Sequence, residues 1–161
     1  MRGMKRRSIW IIAFALVVFV GLVSLFLGQT MKWVGHKDLE VRFLVTNAAT
    51  GIPIANASVH VTVEPGGFCE NGDQGDFVLM TDQNGLATRM SKNCMSFGSK
   101  SSLEDTFAIH PPAWRFYATG EGYANSEPRF AEDVKVARKV IRGDQYAILP
   151  IGIQLVKDLN N

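Results

Sequence analysis

An uncharged apolar run near the N-terminus constrains the chain more than any other feature of its sequence. Residues 9–27, IWIIAFALVVFVGLVSLFL, contain no Asp, Glu, Lys or Arg. As an α-helix rising about 1.5 Å per residue, this run would measure roughly 28 Å, which matches the hydrocarbon core of a bilayer. We therefore predict a single transmembrane helix over residues 9–28, embedded in the lipid bilayer.

Charges around the run predict its orientation. The preceding tip, residues 1–8, carries basic side chains and no acidic ones: Arg2, Lys5, Arg6 and Arg7. Because basic flanks stay in the cytoplasm, we expect a cytoplasmic N-terminus and an extracytoplasmic C-terminal domain, in the periplasm or at the cell surface. A cleaved signal peptide is the alternative, but its apolar region is normally about 7–15 residues, and Phe26-Leu27-Gly28 is a poor cleavage site. The run is therefore interpreted as a retained signal anchor of a single-pass membrane protein.

The residues after the anchor suffice for one compact domain. Removing the first 30 of the 161 residues leaves 131, enough for one hydrophobic core and few for two. Four of the 17 basic residues lie in the N-terminal tip, so the remainder carries 13 Lys and Arg against 15 Asp and Glu. A surface that binds phosphates needs a basic excess, so no nucleic-acid partner is predicted.

Alternation of apolar and polar residues after the anchor predicts β-strands. The inward-facing sets are Val41, Phe43 and Val45, then Val59, Val61 and Val63, then Trp114, Phe116 and Ala118, and finally Ile151, Ile153 and Leu155. The Asn84-Gly85 pair between two further apolar stretches is typical of a hairpin turn. We predict an all-β fold, an antiparallel sandwich of six to eight strands over residues 39–156, with a linker at 29–38 and a tail at 157–161.

The order of these features resembles one known family. The matching stretches are Thr50-Gly51-Ile52-Pro53 with the strand after it, Asp82-Gln83-Asn84-Gly85, residues 116–123, and Ile153-Gln154-Leu155. Together they resemble the carboxypeptidase regulatory-like domains, which share a transthyretin-like, immunoglobulin-like sandwich. The chain departs from that pattern in two long loops, residues 64–76 and 91–106.

The resemblance implies an accessory module, because such domains usually stabilise, space or bind, and few carry an active site. Similar hydrolases of a purine breakdown product end in Tyr-Arg-Gly-Ser. This chain ends in Asp158-Leu159-Asn160-Asn161, so their catalytic residues are not carried over. We predict no catalytic residue, no enzyme activity and no cofactor.

Two cysteines, Cys69 and Cys94, follow the predicted anchor. In an oxidising compartment an isolated pair is most simply a disulfide, which at this spacing would stabilise the fold by about 3 kcal/mol. Two free buried thiols are the alternative, and they would fit a cytosolic chain better. The spacing matches neither a Cys-x-x-Cys redox motif nor a zinc site.

Other candidate ligands are scattered in sequence. None of the three histidines, His36, His60 and His110, belongs to a metal-binding pair. The acidic loop with Glu70, Asp73 and Asp76 offers oxygen ligands that calcium accepts, but it lacks the EF-hand spacing and is interpreted as a solvated loop. We predict no metal site.

These observations predict a membrane-anchored extracytoplasmic β-sandwich module that binds or tethers in the cell envelope, with a protein or cell-wall partner. One alternative is an envelope enzyme or metal-dependent ligand binder that uses the loops at 64–76 and 91–106. The other alternative is an accessory subunit of a membrane complex.

Overall fold

The computed structural model describes residues 10–11, 14–23, 30–70, 75–100, 105–133, 141–142 and 147–158. The chain divides into two compact units. The first comprises Met1–Trp33 and Gly98–Thr106, and the second comprises Val34–Phe97 and Phe107–Asn161. The hydrophobic core lies within the second unit.

The first unit contains the described helical residues, 10–11 and 14–23. Among the described residues, no helix is both long and apolar enough to cross a membrane, because a span requires about 20 apolar residues. The described residues therefore do not support the predicted transmembrane signal anchor over residues 9–28. Part of that prediction, at residues 9, 12–13 and 24–28, lies outside the described residues.

The described part of the chain contains nine β-strands in two sheets. The strands are β1 (Met31–Asn47), β2 (Ser58–Val63), β3 (Phe77–Met80), β4 (Leu86–Lys100), β5 (Asp105–Ile109), β6 (Trp114–Thr119), β7 (Arg129–Phe130), β8 (Ile141–Arg142) and β9 (Ala147–Leu155). The larger sheet has the order β5-β4-β1-β9-β8, and the smaller has the order β3-β2-β6-β7. The all-β prediction is confirmed.

The period of two in the sequence corresponds to the buried faces of the strands. In β1 the residues Leu39, Val41, Phe43 and Val45 are fully buried, and in β9 every second residue from Ala147 to Leu155 is buried. Trp114, Phe116 and Ala118 supply the inward face of β6. The rings of Phe43 and Phe116 meet edge to face with their centroids 5.3 Å apart, so side chains of both sheets pack into one core.

The pairing of β1 with β9 is parallel, which corrects the prediction of an antiparallel sandwich. β1 and β9 pair in parallel from Leu39 opposite Ala147 to Asn47 opposite Leu155. The described residues also contain nine strands instead of six to eight. The predicted alternation agrees with the buried faces of β1, β6 and β9, but alternation carries no information about which strand lies beside another.

Two predicted irregular segments are strands. β1 begins at Met31, inside the predicted linker at 29–38. β4 extends to Lys100 and β5 begins at Asp105, so most of the predicted loop at 91–106 is extended. The sequence did not indicate this part of β4 as a strand, because its buried positions include the small polar residues Ser91 and Ser96.

The conformation of Asn93 explains why the alternation in β4 was not recognised. Ser91 is buried, and the next buried position is Cys94 instead of Asn93. Asn93 has a φ of 51°, in the left-handed region that asparagine tolerates better than most residues. One residue in this conformation shifts the inward face of the strand by one position, which breaks a strict period of two.

The predicted Asn-Gly hairpin is a corner between sheets. Asp82 and Gly85 form the predicted turn, in which the Gly85 N–H donates to the Asp82 carbonyl at 2.9 Å. However, the flanking strands lie in different sheets, β3 in the smaller and β4 in the larger. The turn was located correctly, and the pairing inferred from it was wrong.

Candidate ligand groove

A groove opens where β1 and β9 meet the segment that follows β6. It has a volume of about 530 Å³ and is lined by Leu44, Thr46, Ala124, Asn125, Ser126, Glu127, Arg129, Gly152, Ile153, Gln154 and Val156. Its volume lies within the range of about 300–1,000 Å³ that is usual for small-molecule sites.

The parallel pairing of β1 with β9 builds the floor of the groove. Leu44 lies opposite Gly152, and Thr46 lies opposite Gln154. These residues alternate with the buried positions of their strands and therefore face away from the core. Because Gly152 has no side chain, the backbone of β9 is open beside the exposed Leu44. The floor therefore combines the apolar Leu44 side chain and the open backbone at Gly152 with the polar side chains of Thr46 and Gln154.

Backbone hydrogen bonds hold the opposite wall, residues 124–129, at two points. The Ala124 N–H donates to the Val156 carbonyl at 2.9 Å, and the Ser126 N–H donates to the Ala118 carbonyl at 2.9 Å. The Ser126 hydroxyl also accepts from the Ala118 N–H at 2.8 Å. The first contact ties the wall to the end of β9 and the others tie it to β6, so the wall is positioned without a ligand.

Four side chains, one of them on the floor, bring charged or amide groups to the lining of the groove. Asn125, Glu127 and Arg129 come from the wall, and Gln154 comes from β9. All four residues are exposed, and within the described ranges no ion pair involves Glu127 or Arg129. The groove therefore combines an apolar surface with one acidic group, one basic group and two amides.

The two predicted disulfide residues are joined in the structure. The Cys69–Cys94 bond connects the loop after β2 to β4. It is supported by hydrogen bonds from the Glu70 N–H to the Lys92 carbonyl at 2.9 Å and from the Met95 N–H to the Phe68 carbonyl at 2.8 Å. The disulfide therefore lies within a backbone ladder that fixes the loop to the larger sheet.

The three histidines are not brought together. His36 lies in β1, His60 stacks on Tyr117 at 4.6 Å between ring centroids, and His110 stacks on Phe68 at 4.2 Å. Of the acidic loop, Asp76 accepts the Val63 N–H at 3.1 Å, and Asp73 lies outside the described residues. In the part of the chain that the structure describes, no three His, Cys, Asp or Glu residues cluster as a metal site.

Among the described residues, two aspartates have perturbed pKa values, and both are structural. The Leu86 N–H donates to Asp82 Oδ1 at 2.9 Å and, with the Asn84 N–H at 2.8 Å, holds the pKa of Asp82 below its ordinary value of 3.8. The Lys92 ammonium donates to Asp38 Oδ2 at 2.7 Å and likewise lowers the pKa of Asp38. Neither aspartate lines the groove.

The groove residues were not predicted from the sequence. Residues 124–129 show no helical or strand period, and Gly152 looks like a weak point in an otherwise regular strand. The useful local signal is Glu127-Pro128-Arg129, in which proline holds two opposite charges on an extended backbone.

The sequence matches no known family model and no curated protein. Its fold is similar to solved dioxygenases, of which three illustrate the likeness. Chlorocatechol 1,2-dioxygenase from Pseudomonas putida has 15% sequence identity and a TM-score of 0.46, with 76% of this chain and 61% of that chain covered. Catechol 1,2-dioxygenase from Acinetobacter radioresistens has 14% identity and a TM-score of 0.47, with 76% and 53% covered. Hydroxyquinol 1,2-dioxygenase from Pseudomonas putida has 13% identity and a TM-score of 0.44, with 76% and 57% covered.

These neighbours correct the predicted function. They are enzymes, which contradicts the prediction of a non-enzymatic module that binds or tethers in the cell envelope. We withdraw that prediction, the alternative of an accessory subunit of a membrane complex, and the membrane-anchor description. The chain spans between 53% and 61% of the length of these structures. At 13–15% identity and TM-scores below 0.5, the likeness assigns no reaction, cofactor or catalytic residue to this chain.

Proposed function

We propose that this protein binds a small organic molecule in the groove between the β1–β9 floor and the wall at residues 124–129. The observation that carries the proposal is that one concave surface combines two exposed apolar side chains, Leu44 and Val156, with charged and amide side chains. A ligand with an apolar body and polar substituents on one edge would match both parts.

The floor would contribute affinity by removing apolar surface from water. Leu44 and Val156 expose 42% and 63% of their surface, respectively, although both line a concave surface. Burial of such surface is worth about 25 cal/mol per Å² before the cost of association. The polar side chains would add less net affinity, because each exchanges a hydrogen bond with water for one with the ligand. Their main contribution would be to fix the orientation of the ligand.

Gly152 offers a direct test. A Cβ built there meets no described heavy atom within 4 Å, so Gly152→Leu would fill the groove without disturbing the core. The matched control is Gly75→Leu, which places the same side chain at another open glycine outside the groove.

The assay is saturation-transfer NMR on the full chain with four probes that share a phenyl body: phenylalanine, phenylpropionate, phenylethylamine and phenylethanol. We expect at least one probe to bind the natural protein and Gly75→Leu, and to lose its signal with Gly152→Leu. Thermal unfolding should show that both variants remain folded. Failure of all four probes to bind, or binding that Gly152→Leu leaves unchanged, contradicts the proposal.

We also propose that the two sheets form a domain of the carboxypeptidase regulatory-like or transthyretin-like kind. Support comes from two turns that carry the resemblance. Thr46 forms a β-bridge with Pro53 across the first turn, and Asp82 accepts N–H groups of the second. A solved structure of a member of that family that superposes on β1–β9 in the same strand order would support this assignment, and a different order would refute it.

The location of the β-domain is a further part of the proposal. We propose an extracytoplasmic, oxidising compartment, supported by the Cys69–Cys94 disulfide, because such bonds persist where thiols are not continually reduced. Alkylation of the protein from its native cells, without reductant, should leave both cysteines unmodified. Two alkylated thiols would place the domain in a reducing compartment.

A further inference from the structure

Glu127 and Arg129 place opposite charges on the same wall of the groove. We infer that the groove selects zwitterionic ligands, with the ligand carboxylate bound by Arg129 and the ligand ammonium bound by Glu127. This inference rests on the proposed function and adds the chemical class of the ligand.

The backbone between the two residues is constrained to be extended. Pro128 restricts its own φ to about −65° and disfavours a helical conformation at Glu127. Arg129 then pairs with Phe116 at the start of β7, and the Ser126 N–H bonds to Ala118 on the other side of Glu127. Both charged residues therefore begin from backbone positions fixed against β6.

Neither charge is neutralised by another described residue. Arg42 is bound to Glu40 at 3.0 Å, Arg115 pairs with Glu64 at 3.3 Å, and Arg89 lies over the Phe77 ring at 4.6 Å. Among the described residues, neither Arg129 nor Glu127 has such a side-chain partner. Both heads are therefore available to a ligand.

Their spacing suits a ligand that carries both charges. The Cα atoms of residues i and i+2 in an extended chain lie roughly 6.6 Å apart. This separation leaves room for a ligand whose ammonium approaches the Glu127 carboxylate, and whose carboxylate approaches the Arg129 guanidinium, to about 2.8 Å. A ligand with only a carboxylate would gain Arg129 but meet the like charge of Glu127. A ligand with only an ammonium would gain Glu127 but meet the like charge of Arg129. The pair of residues therefore favours a zwitterion over a ligand with a single charge.

The four phenyl probes separate this inference from the proposed function. Phenylalanine carries both charges, phenylpropionate only the carboxylate, phenylethylamine only the ammonium, and phenylethanol neither. Two solvent-exposed ion pairs predict that phenylalanine binds roughly tenfold more tightly than phenylethanol. Titration by NMR with the full chain would give the four dissociation constants.

Neutral variants identify the partner of each charge. Glu127→Gln should remove the preference of the groove for phenylalanine over phenylpropionate, and Arg129→Gln should remove its preference for phenylalanine over phenylethylamine. Glu121→Gln is the matched control, because Glu121 is exposed on the turn after β6 and does not line the groove. It should leave all four dissociation constants unchanged.

Each outcome decides one question. If phenylethanol binds as tightly as phenylalanine, or if Glu127→Gln and Arg129→Gln change nothing, the inference is wrong and the groove remains a binding site for apolar molecules. If no probe binds, the inference and the proposed function fail together. If phenylalanine binds best and each variant abolishes the preference for its own charge, the ligand class is established.

Discussion

Gly85 is the residue at which the addition of one methyl group should be most damaging. It has a φ of +69°, and a Cβ there would lie 2.6 Å from the Val45 carbonyl oxygen, 2.9 Å from Pro53 Cβ and 3.0 Å from the Ile54 nitrogen. The same backbone carries two hydrogen bonds of 2.9 Å, from the Val45 N–H to the Gly85 carbonyl and from the Ile54 N–H to the Val45 carbonyl. Gly85→Ala would therefore strain its own conformation and displace the end of β1.

The magnitude follows from these two effects. The left-handed conformation costs an alanine about 1–2 kcal/mol. Weakening two backbone hydrogen bonds adds about 1 kcal/mol each, so Gly85→Ala should lower the free energy of unfolding by about 3–4 kcal/mol. For a domain of this size, that loss corresponds to a fall in Tm of roughly 10–18 °C.

Gly122→Ala is the matched control. Gly122 has a φ of +74°, but no described heavy atom lies within 4 Å of the position of its Cβ. This variant carries only the conformational cost, about 1–2 kcal/mol. Urea unfolding monitored by tryptophan fluorescence would give both values. Equal losses for the two variants would refute the argument that close approach of the backbone requires glycine at residue 85.

Two further outcomes concern the disulfide and the corner turn. Replacing Cys69 and Cys94 together by serine should lower the free energy of unfolding by about 3 kcal/mol. Hydrogen exchange should show the largest loss of amide protection in the loop after β2, and a uniform loss of protection across the domain would argue against a local tether. Asp82→Asn should lower stability above pH 3.8 and lose its effect in more acidic solution. The reason is that the lowered pKa of Asp82 contributes stability that is fully present above the unfolded value of 3.8 and is lost as pH falls through the folded value. A difference in Tm between the two proteins that does not shrink on acidification would contradict this account.

Much of the fold could be predicted from the sequence because burial on one face of a strand has a simple signature. Val41, Phe43 and Val45 alternate with polar residues, and the structure buries all three. Trp114 and Phe116 follow the same rule in the other sheet. In each case the side chains are large and apolar, so the cost of exposing them decides which face turns inward.

The prediction failed where the buried side chains are small or the backbone is irregular. Ser91 and Ser96 are inward-facing residues of β4, but serine carries no hydropathy signal. Between them, Asn93 shifts the inward face by one position. A strand with both properties resembles a solvated loop when only its residue types are read.

Strand order was beyond the reach of the sequence for a different reason. The turn at residues 82–85 has the composition of a hairpin, and its local hydrogen bonds are those of a tight turn. Whether the next strand returns beside the first or crosses to the other sheet depends on contacts with residues that are distant from the turn in sequence. Gly85 packs against Val45 of β1, and this tertiary contact accompanies a crossing into the larger sheet.

The candidate groove depends on that same long-range order. Leu44 and Gly152 are neighbours only because β1 and β9 pair in parallel, and parallel strands require a connection that leaves the sheet and returns. That connection includes β6 and the wall at residues 124–129, which meets the end of β9 through the Ala124 N–H. The route of the chain between β1 and β9 therefore produces both the parallel strand pair and the wall of the groove. Any change that uncouples β9 from β1 should remove the groove as well as part of the core, whereas Gly152→Leu should remove the groove alone. Comparing these two kinds of variant separates the role of the groove in binding from its dependence on the fold.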